Sequence, residues 1–473
     1  MKYTFSLLII LFIGCSYATA QTYTLEQLKD SALQNNIAMR KGRLQMAAAK
    51  EQRREAFTNY FPNISAVGMT FKANKEMAEM TIDPQDMLAP ETKAALAELA
   101  PMMAQVLPAE ALAGLGSPMT MAMMKDGTIG SVNAMQPVFA GGQIVIGNKL
   151  ARVGEEAARL QLQLSEKDVE AQVEQYYWQL VSMQEKTRTL DAVDTMLAQI
   201  RHDVETAVRA GVALNNDLLQ VQLRQNDIAS QRLKLNNGRA LVKMLLGQFC
   251  GLGGTSPDPS PVRGEGNYQF EIETPDISQV TLLPSLTGEG LGEGPLGYSI
   301  STLPEYQLLE KNVEAAKLQR KMEVAKNLPS AAVGAGYNYH NLLDNDRHFG
   351  MIYATVSVPI TDWWGGAHAI RRKRFAEQEA KEQLADNAQL LQIRIRKAAN
   401  DVAEAHSQLA LARQSVEQAT ENLRIQRNTY RAGTSTMTDL LQAQLLLQQA
   451  QDQHTDAFVA LQNAHLAYRH ATE

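Results

Sequence analysis

The sequence predicts a mainly α-helical protein with four β-strands, built from two copies of one helix-and-strand unit. Three observations support this fold class. Long stretches carry apolar residues at alternating spacings of three and four, as coiled-coil helices do. Four short segments alternate in polarity or follow a proline, as strands do. The passage Arg-Ala-Gly followed by Asp-Leu-Leu-Gln occurs in both halves of the chain, within residues 209–220 and 431–442.

Residues 1–20 have the pattern of a secretory signal peptide. Lys2 gives the positive start, a short apolar core follows, and small residues at 18–20 form the cleavage site. An alternative is a lipid anchor on Cys15, to which Phe12 is poorly suited. No later stretch reaches the about 18 consecutive apolar residues of a membrane helix. A mature chain that enters a membrane is therefore expected to do so by strands.

The composition excludes several classes of protein. The net charge of −6 is spread along 473 residues, so the concentrated basic patch of a nucleic-acid surface is missing. The histidines, among them His202, His406 and His454, are scattered, and the chain has no HExxH motif. The sequence therefore predicts no enzyme, no cofactor and no metal site.

Four segments are predicted to be strands, two in each copy. They are residues 63–71, 132–138, 331–337 and 352–360. The first strand of each pair begins after a proline, which stops the preceding helix. Each pair is expected to end at a glycine pair, the first at 141–142 and the second at 365–366. Trp363 and Trp364 precede the second glycine pair, and aromatic rings at a strand end suit a membrane–water interface.

The segment between the first two strands, residues 72–128, is a long loop rich in methionine and proline. We expect it to lie outside the cell, as short helices separated by prolines and packed by adaptable methionines. Thioethers also bind soft metals such as Cu(I), which leaves a role in metal efflux open.

After each glycine pair a very long helix is expected. The heptad is regular from Leu384 to Leu423 and looser from Val169 to Ala207. Residues 142–209 span about 67 residues, or about 100 Å as one helix. An ordinary core does not require that length, whereas a duct between two membranes does.

The duplicated passage is predicted to be a tight turn between two long helices. Gly211 and Gly433 supply the left-handed backbone that ends a helix. Asp217 and Asp439 lie near the start of the returning helix, where the dipole favours a carboxylate. An alternative role for these two carboxylates is to line a closed aperture.

The chain therefore divides into a signal peptide at 1–20, a first repeat at 21–250, a Gly/Pro/Ser-rich linker at 251–301 and a second repeat at 302–473. Because an open sheet leaves backbone groups unpaired, four strands cannot span a membrane alone. Strands from sister chains would close the sheet, and three chains would supply about twelve, within the range of membrane barrels.

With the capping sequence of residues 24–27, the proline-led strands, the glycine pairs and both turns, the mature chain resembles the TolC-like outer-membrane efflux factors. The resemblance implies a mainly α protein with a membrane β-barrel part. It implies a homotrimer in outer-membrane lipid, with a 12-stranded barrel and a long periplasmic coiled-coil α-helical barrel. It also implies two partners, a periplasmic adaptor and an inner-membrane pump.

The resemblance also implies that the adaptor docks at the turns. The candidate docking residues are Arg209, Ala210, Gly211, Arg431, Ala432 and Gly433. The alternative is that glycine only forms the turn and arginine only faces solvent. Two other functions remain open, a coiled-coil envelope scaffold without a conducting lumen and a copper-type efflux channel. An envelope hydrolase is disfavoured because no nucleophile–base pattern occurs.

Overall fold

The computed structural model describes residues 21–75, 78–83, 88–103, 119–123, 126–252, 270–275, 300–342, 345–360 and 362–473. The predicted signal peptide and the alternative lipid site at Cys15 lie outside these residues. The chain forms two compact units. The helical unit contains the described residues up to 52 and those of 151–317 and 375–473, and the sheet unit contains those of 53–150 and 318–374. Each unit takes residues from both sequence repeats.

The chain is mostly helical. Its helices are α1 (Leu25–Asn35), α2 (Ile37–Thr58), α3 (Pro90–Met103), α4 (Gln143–Arg209), α5 (Asn215–Cys250), α6 (Pro304–Lys326), α7 (Asp362–Arg431) and α8 (Met437–Thr472). Its strands are β1 (Gln21–Tyr23), β2 (Asn63–Lys72), β3 (Ala78–Ile82), β4 (Met119–Met123), β5 (Asp126–Ala140), β6 (Phe270–Ile272), β7 (Ser330–Leu342) and β8 (Asn345–Ser357). The prediction of long helices is confirmed, since α4 and α7 have 67 and 70 residues. Among the described residues, no helix is both long and apolar enough to cross a membrane.

The heptad positions form the core of the helical unit. In α7 the buried seam consists of Leu391, Ala398, Val402, Leu409 and Leu423. The corresponding seam of α4 buries Val169, Val173, Leu180, Leu197, Ile200 and Val204. Each fully buried leucine or valine contributes about 1.5–3 kcal/mol relative to exposure. The mixture of alanine with larger residues lets the helices approach closely.

The first helical stretch is divided at Asn36. The predicted capping box is confirmed, because the Gln27 N–H donates to Thr24 Oγ1 at 3.3 Å and the Thr24 N–H donates to Gln27 Oε1 at 3.1 Å. At Asn36 the backbone is extended, and its side-chain oxygen accepts from the Ala38 N–H at 2.7 Å. This local hydrogen bond begins a new helix, α2, so the helical segment that follows the capping box is divided into two helices.

The linker contains a strand that the sequence did not predict. Strand β6 pairs in parallel with β1, and Phe270 and Ile272 are buried. Glu271 binds Arg239 at 2.9 Å and Lys243 at 2.8 Å on α5. Burial by itself would raise the pKa of Glu271, but the two cations outweigh it and the pKa is lowered. Part of the linker is therefore fixed to the helical unit.

The sheet unit contains an antiparallel sheet of order β2-β5-β7-β8. All four predicted strands are confirmed, although β5 and β7 extend beyond the expected ranges and β8 begins earlier than expected, at Asn345. The register of β5 against β7 shifts beside Pro137, which has no N–H for the ladder. Strand β8 ends at Ser357 rather than at 360, because its partner β7 begins at Ser330, immediately after Pro329.

One face of this sheet is apolar and turned to solvent. Its residues alternate along all four strands: Ile64, Ala66, Val132, Ala134, Val333, Ala335, Tyr337, Ile352, Ala354 and Val356. Most are exposed, and Ile352 is 88% exposed. The opposite face mixes polar residues such as Ser131, Asn133 and Asn338 with apolar ones such as Met69 and Met351. A soluble sheet places its apolar face against a core, whereas this apolar face is uncovered in the single chain.

Two expectations about the end of the second strand pair were wrong. Gly141 and Gly142 form the predicted turn, with φ of +60° and +85°. Gly365 and Gly366, in contrast, lie inside α7, which begins at Asp362. A Cβ on Gly366 would lie 1.9 Å from Asn327 Oδ1, so this glycine permits a close approach and makes no turn.

The two tryptophans are likewise in the first turn of α7 rather than at a strand end. Trp364 is 86% exposed.

The long loop of residues 72–128 contains more regular structure than expected. The predicted short helix is present as α3, but β3 and β4 form an antiparallel pair that the sequence did not predict. The proline-based interpretation missed these strands because five-residue segments carry a weak periodic signal.

Candidate functional site

Each copy of Arg-Ala-Gly ends a long helix in a Schellman turn. In the first turn the Val212 N–H donates to the Ala207 carbonyl at 3.0 Å and the Gly211 N–H donates to the Val208 carbonyl at 3.0 Å. The second turn repeats both bonds, from Thr434 to Thr429 and from Gly433 to Tyr430, each at 3.0 Å.

The glycines at the two turns have nearly equal backbone angles, with φ of +74° and +73°. The left-handed conformation is thus required by geometry, as predicted. Arg209 and Arg431 are the last residues of their helices, and Ala210 and Ala432 follow them on the surface.

Beyond the glycine, the second turn satisfies its own polar groups. Thr434 Oγ1 donates to the Thr429 carbonyl at 3.1 Å. Thr436 is the N-cap of α8: its hydroxyl accepts from the Asp439 N–H at 3.2 Å, and its own N–H donates to Asp439 Oδ2 at 3.1 Å. The next residue, Met437, is buried in the core between the helices. The second turn therefore directs its apolar residue inward and its hydroxyl groups outward.

The first turn has the opposite pattern. Val212 is 80% exposed and Leu214 is 71% exposed. Leu214 occupies the N-cap of α5 and makes no side-chain hydrogen bond there. A threonine at this position would stabilise the helix by about 1 kcal/mol. Asn215, which corresponds to Met437, is exposed.

The two predicted helix-start carboxylates occupy equivalent positions. Asp217 and Asp439 are each the third residue of their helix, and each accepts from the backbone N–H of the N-cap residue. Hydrogen bonds from the hydroxyl and the backbone of Thr436 lower the pKa of Asp439. The other proposed role of these carboxylates, lining a closed aperture, stays a prediction.

The fold brings the two turns together. Thr438 Oγ1 donates to Gln220 Oε1 at 3.1 Å, across more than 200 residues of sequence. Burial and the negative charge of Asp217 raise the pKa of Tyr430, which precedes the second turn. Val204 and Val221 from the first hairpin share one core with residues of the second hairpin. The turns therefore form one composite surface.

A polar network behind the turns was not predicted. Arg224 on α5 donates to Gln444 Oε1 at 3.1 Å and to Gln448 Oε1 at 2.6 Å on α8, and it pairs with Asp227. Gln448 donates in turn to Gln231 Oε1 at 2.9 Å. Both glutamines of α8 are buried. No local pattern marks them, because their partners are more than 200 residues away in sequence.

The described residues contain no cluster of three or more histidine, cysteine or acidic side chains placed to hold a metal ion. His454 is half-buried, and burial followed by the charge of Arg413 lowers its pKa. His465 behaves similarly, with contributions from burial, Arg469 and His406. These environments favour neutral histidines packed between helices.

Comparison with solved structures shows that the chain has the fold of known outer-membrane channel proteins. The outer membrane protein VceC of Vibrio cholerae matches with a TM-score of 0.71 at 16% identity, over 95% of each chain. The Campylobacter jejuni CmeC outer membrane channel matches with 0.71 at 14%, over 95% of this chain and 85% of that one. The Neisseria gonorrhoeae MtrE outer membrane channel matches with 0.66 at 13%, over 95% and 88%.

The sequence comparisons match part of the chain to a family. Residues 304–472 match the model of the outer membrane efflux protein family. Comparison with curated protein sequences gives no significant match. The match covers the second repeat only, so that repeat is similar to this family, and the fold implied by the resemblance to TolC-like channels agrees with the solved structures.

Proposed function

We propose that this chain is one subunit of a homotrimeric outer-membrane channel, which gives substrates passive exit within a tripartite efflux system. The observation that carries the proposal is the exposed apolar face of the β2-β5-β7-β8 sheet. That face belongs in lipid, and the opposite face, which carries the asparagines and serines of the sheet, belongs in a water-filled lumen. The chain acts in transport and performs no chemistry.

The open sheet supports the proposed closure of the barrel. Strands β2 and β8 are the edges, and neither outer edge has a partner strand among the described residues. Unpaired backbone groups in lipid cost several kcal/mol each. Pairing of β2 in one subunit with β8 in the next satisfies these groups, and three subunits give about twelve strands.

Adjacent residues on strand β8 provide a matched test of this orientation. Ile352 lies on the apolar face and Met351 on the other, and both are exposed in the single chain. Ile352→Arg should cost about 2–4 kcal/mol near the bilayer centre and reduce the assembled trimer in outer-membrane fractions. Met351→Arg should assemble normally and change the single-channel conductance. Equal tolerance of both arginines would contradict the assigned faces.

Planar-bilayer recording separates the channel from the alternative of a coiled-coil scaffold. Purified trimers should produce stepwise ion conductance, because a lumen lined by polar residues holds water. A scaffold without a lumen would produce none at any protein concentration. The molecular mass of the same purified assembly tests whether it is a trimer.

The proposed partners are a periplasmic adaptor, which docks at the turns, and an inner-membrane pump, which supplies the energy. The candidates for docking are the residues Arg209, Ala210, Gly211, Arg431, Ala432 and Gly433. Support comes from their position, because the structure joins both turns into one exposed surface. Trp364 is a candidate for the membrane–water interface because its ring is exposed, and Trp363 is proposed with it by sequence position.

A further inference from the structure

The two turns have the same backbone and opposite surface chemistry. Val212 and Leu214 are exposed in the first turn, where Thr434 and Thr436 stand in the second. The second turn has every feature of a self-contained helix connection, including a hydroxyl cap. The first turn has no side-chain hydrogen bond at its N-cap, and it also exposes two apolar side chains. Departures from local rules of this kind are expected where a surface binds something.

A cation without a carboxylate partner, Arg209, lies beside this apolar pair. Arg431 at the second turn also has no ion pair among the described residues, so the turns differ in their apolar exposure and not in this charge. Arg209 donates from Nε to the Glu205 carbonyl at 3.3 Å and from Nη2 to Thr206 Oγ1 at 3.5 Å, both neutral acceptors. The carboxylate of Glu205 is bound instead by Arg201, at 2.8 Å. Among the described residues, no carboxylate forms an ion pair with Arg209. An exposed cation without a counterion, next to two exposed apolar residues, is complementary to an apolar pocket edged by a carboxylate.

We propose that the first turn, through Val212, Leu214 and Arg209, supplies the affinity for the docking partner, and that the partner offers an apolar socket beside a carboxylate. The second turn serves to close its helix pair and contributes little affinity. This inference rests on the proposed docking of an adaptor at the turns and assigns the contact to one of them.

A reciprocal exchange between the turns tests the apolar contact. Val212→Thr with Leu214→Thr copies the second turn and adds a favourable cap, so a loss of binding cannot be attributed to a weaker helix. Thr434→Val with Thr436→Leu is the mirror variant. Binding is measured by surface plasmon resonance on purified trimers, with purified periplasmic adaptor proteins of the source organism as the probes. The first exchange should raise Kd at least tenfold, and the mirror exchange should leave Kd within twofold.

A second pair of variants tests the charge. Arg209→Gln should raise Kd severalfold and weaken the dependence of Kd on salt, because a surface ion pair is screened by salt. Arg201→Gln, eight residues earlier on the same helix and already paired with Glu205, is the control and should change neither.

Three results would overturn the inference. The first is an unchanged Kd after the Val212 and Leu214 exchange, and the second is an equal loss in both exchanges. The third is association of wild-type trimers into hexamers that the first exchange dissolves, since the apolar pair would then bind a second copy. Bilayer conductance keeps the proposals separate: trimers that conduct but bind adaptor equally in all variants refute only this inference, whereas trimers that never conduct refute the channel.

Discussion

The carboxylate of Glu174 joins three helices in the interior of the helical unit, and its removal should loosen α1. Glu174 is 4% exposed. It accepts from Arg469 Nη2 at 2.7 Å on α8 and binds Lys29 Nζ at 3.1 Å on α1. The ring N–H of Trp178 donates to the same carboxylate at 3.4 Å. Glu174→Ala therefore removes one charge and leaves its partners in place.

The expected cost depends on how well each cation can regain water. The Lys29 side chain is 14% exposed and keeps one other carboxylate, Glu26, at 3.3 Å. Arg469 is 49% exposed, so water largely replaces the contact that its guanidinium loses when Glu174 is removed. Removing one member of a buried pair costs about 3–5 kcal/mol, and the remaining contact of Lys29 places this case near about 3 kcal/mol. That energy corresponds to a roughly 100-fold change in a local opening equilibrium.

Hydrogen exchange measured by mass spectrometry on purified trimers provides the assay. Amides of α1 in Glu174→Ala should exchange roughly 100-fold faster than in the wild type, since they open through the weakened contact. The exposed pair Lys397 and Asp401, 72% and 40% exposed, is the control. Asp401→Ala should alter exchange in α7 by less than about threefold, or about 0.5 kcal/mol. Unchanged exchange in α1 of the Glu174 variant would refute the reasoning.

Three other perturbations have defined outcomes. Gly433→Val forces a β-branched residue to φ of +73° and should cost about 1–3 kcal/mol, seen as a lower thermal midpoint that Gly433→Asn largely restores. Tyr177→Phe removes a 2.5 Å hydrogen bond to the backbone after β6 and should cost about 1 kcal/mol, with faster proteolysis of the linker; an unchanged cleavage rate would contradict the role of this bond. Because the pKa of Glu271 is lowered from 4.5, its pairing with Arg239 and Lys243 stabilises the fold above that pH. This contribution should be lost as pH falls through the lowered pKa, and Glu271→Gln should abolish that part of the pH dependence of unfolding.

The repeats and long helices were predictable because their signals are local. Heptad spacing in α7 predicts which face is buried, whichever helix packs against it. Leu391 and Leu409 on that face are buried as expected. The left-handed turns were predictable for the same reason, since Gly211 and Gly433 satisfy a conformational requirement of their own backbone. The alternating strands were found, although the end of β8 depended on where its partner β7 begins.

The candidate docking surface was predicted only in part. Both turns were located from the duplicated passage, and the difference between them was present in the sequence as Val-Ala-Leu against Thr-Ser-Thr. The significance of this difference became clear only from the exposure of Val212 and Leu214 and the inward position of Met437 in the structure. The expectation that the second strand pair ends at Gly365 and Gly366 was wrong, because the sequence does not show that Asn327 lies against Gly366.

The sequence by itself determined which segments are helices, where the long helices reverse, and that the chain repeats one unit. Those properties depend on side chains within a few residues of each other. The tertiary structure decided that β6 pairs with β1, that Glu174 joins three helices, and that the two turns share one surface. Each of these depends on groups far apart in the chain, whose partners are chosen by packing and by the need to pair buried charges and backbone groups. Local patterns do not encode that choice.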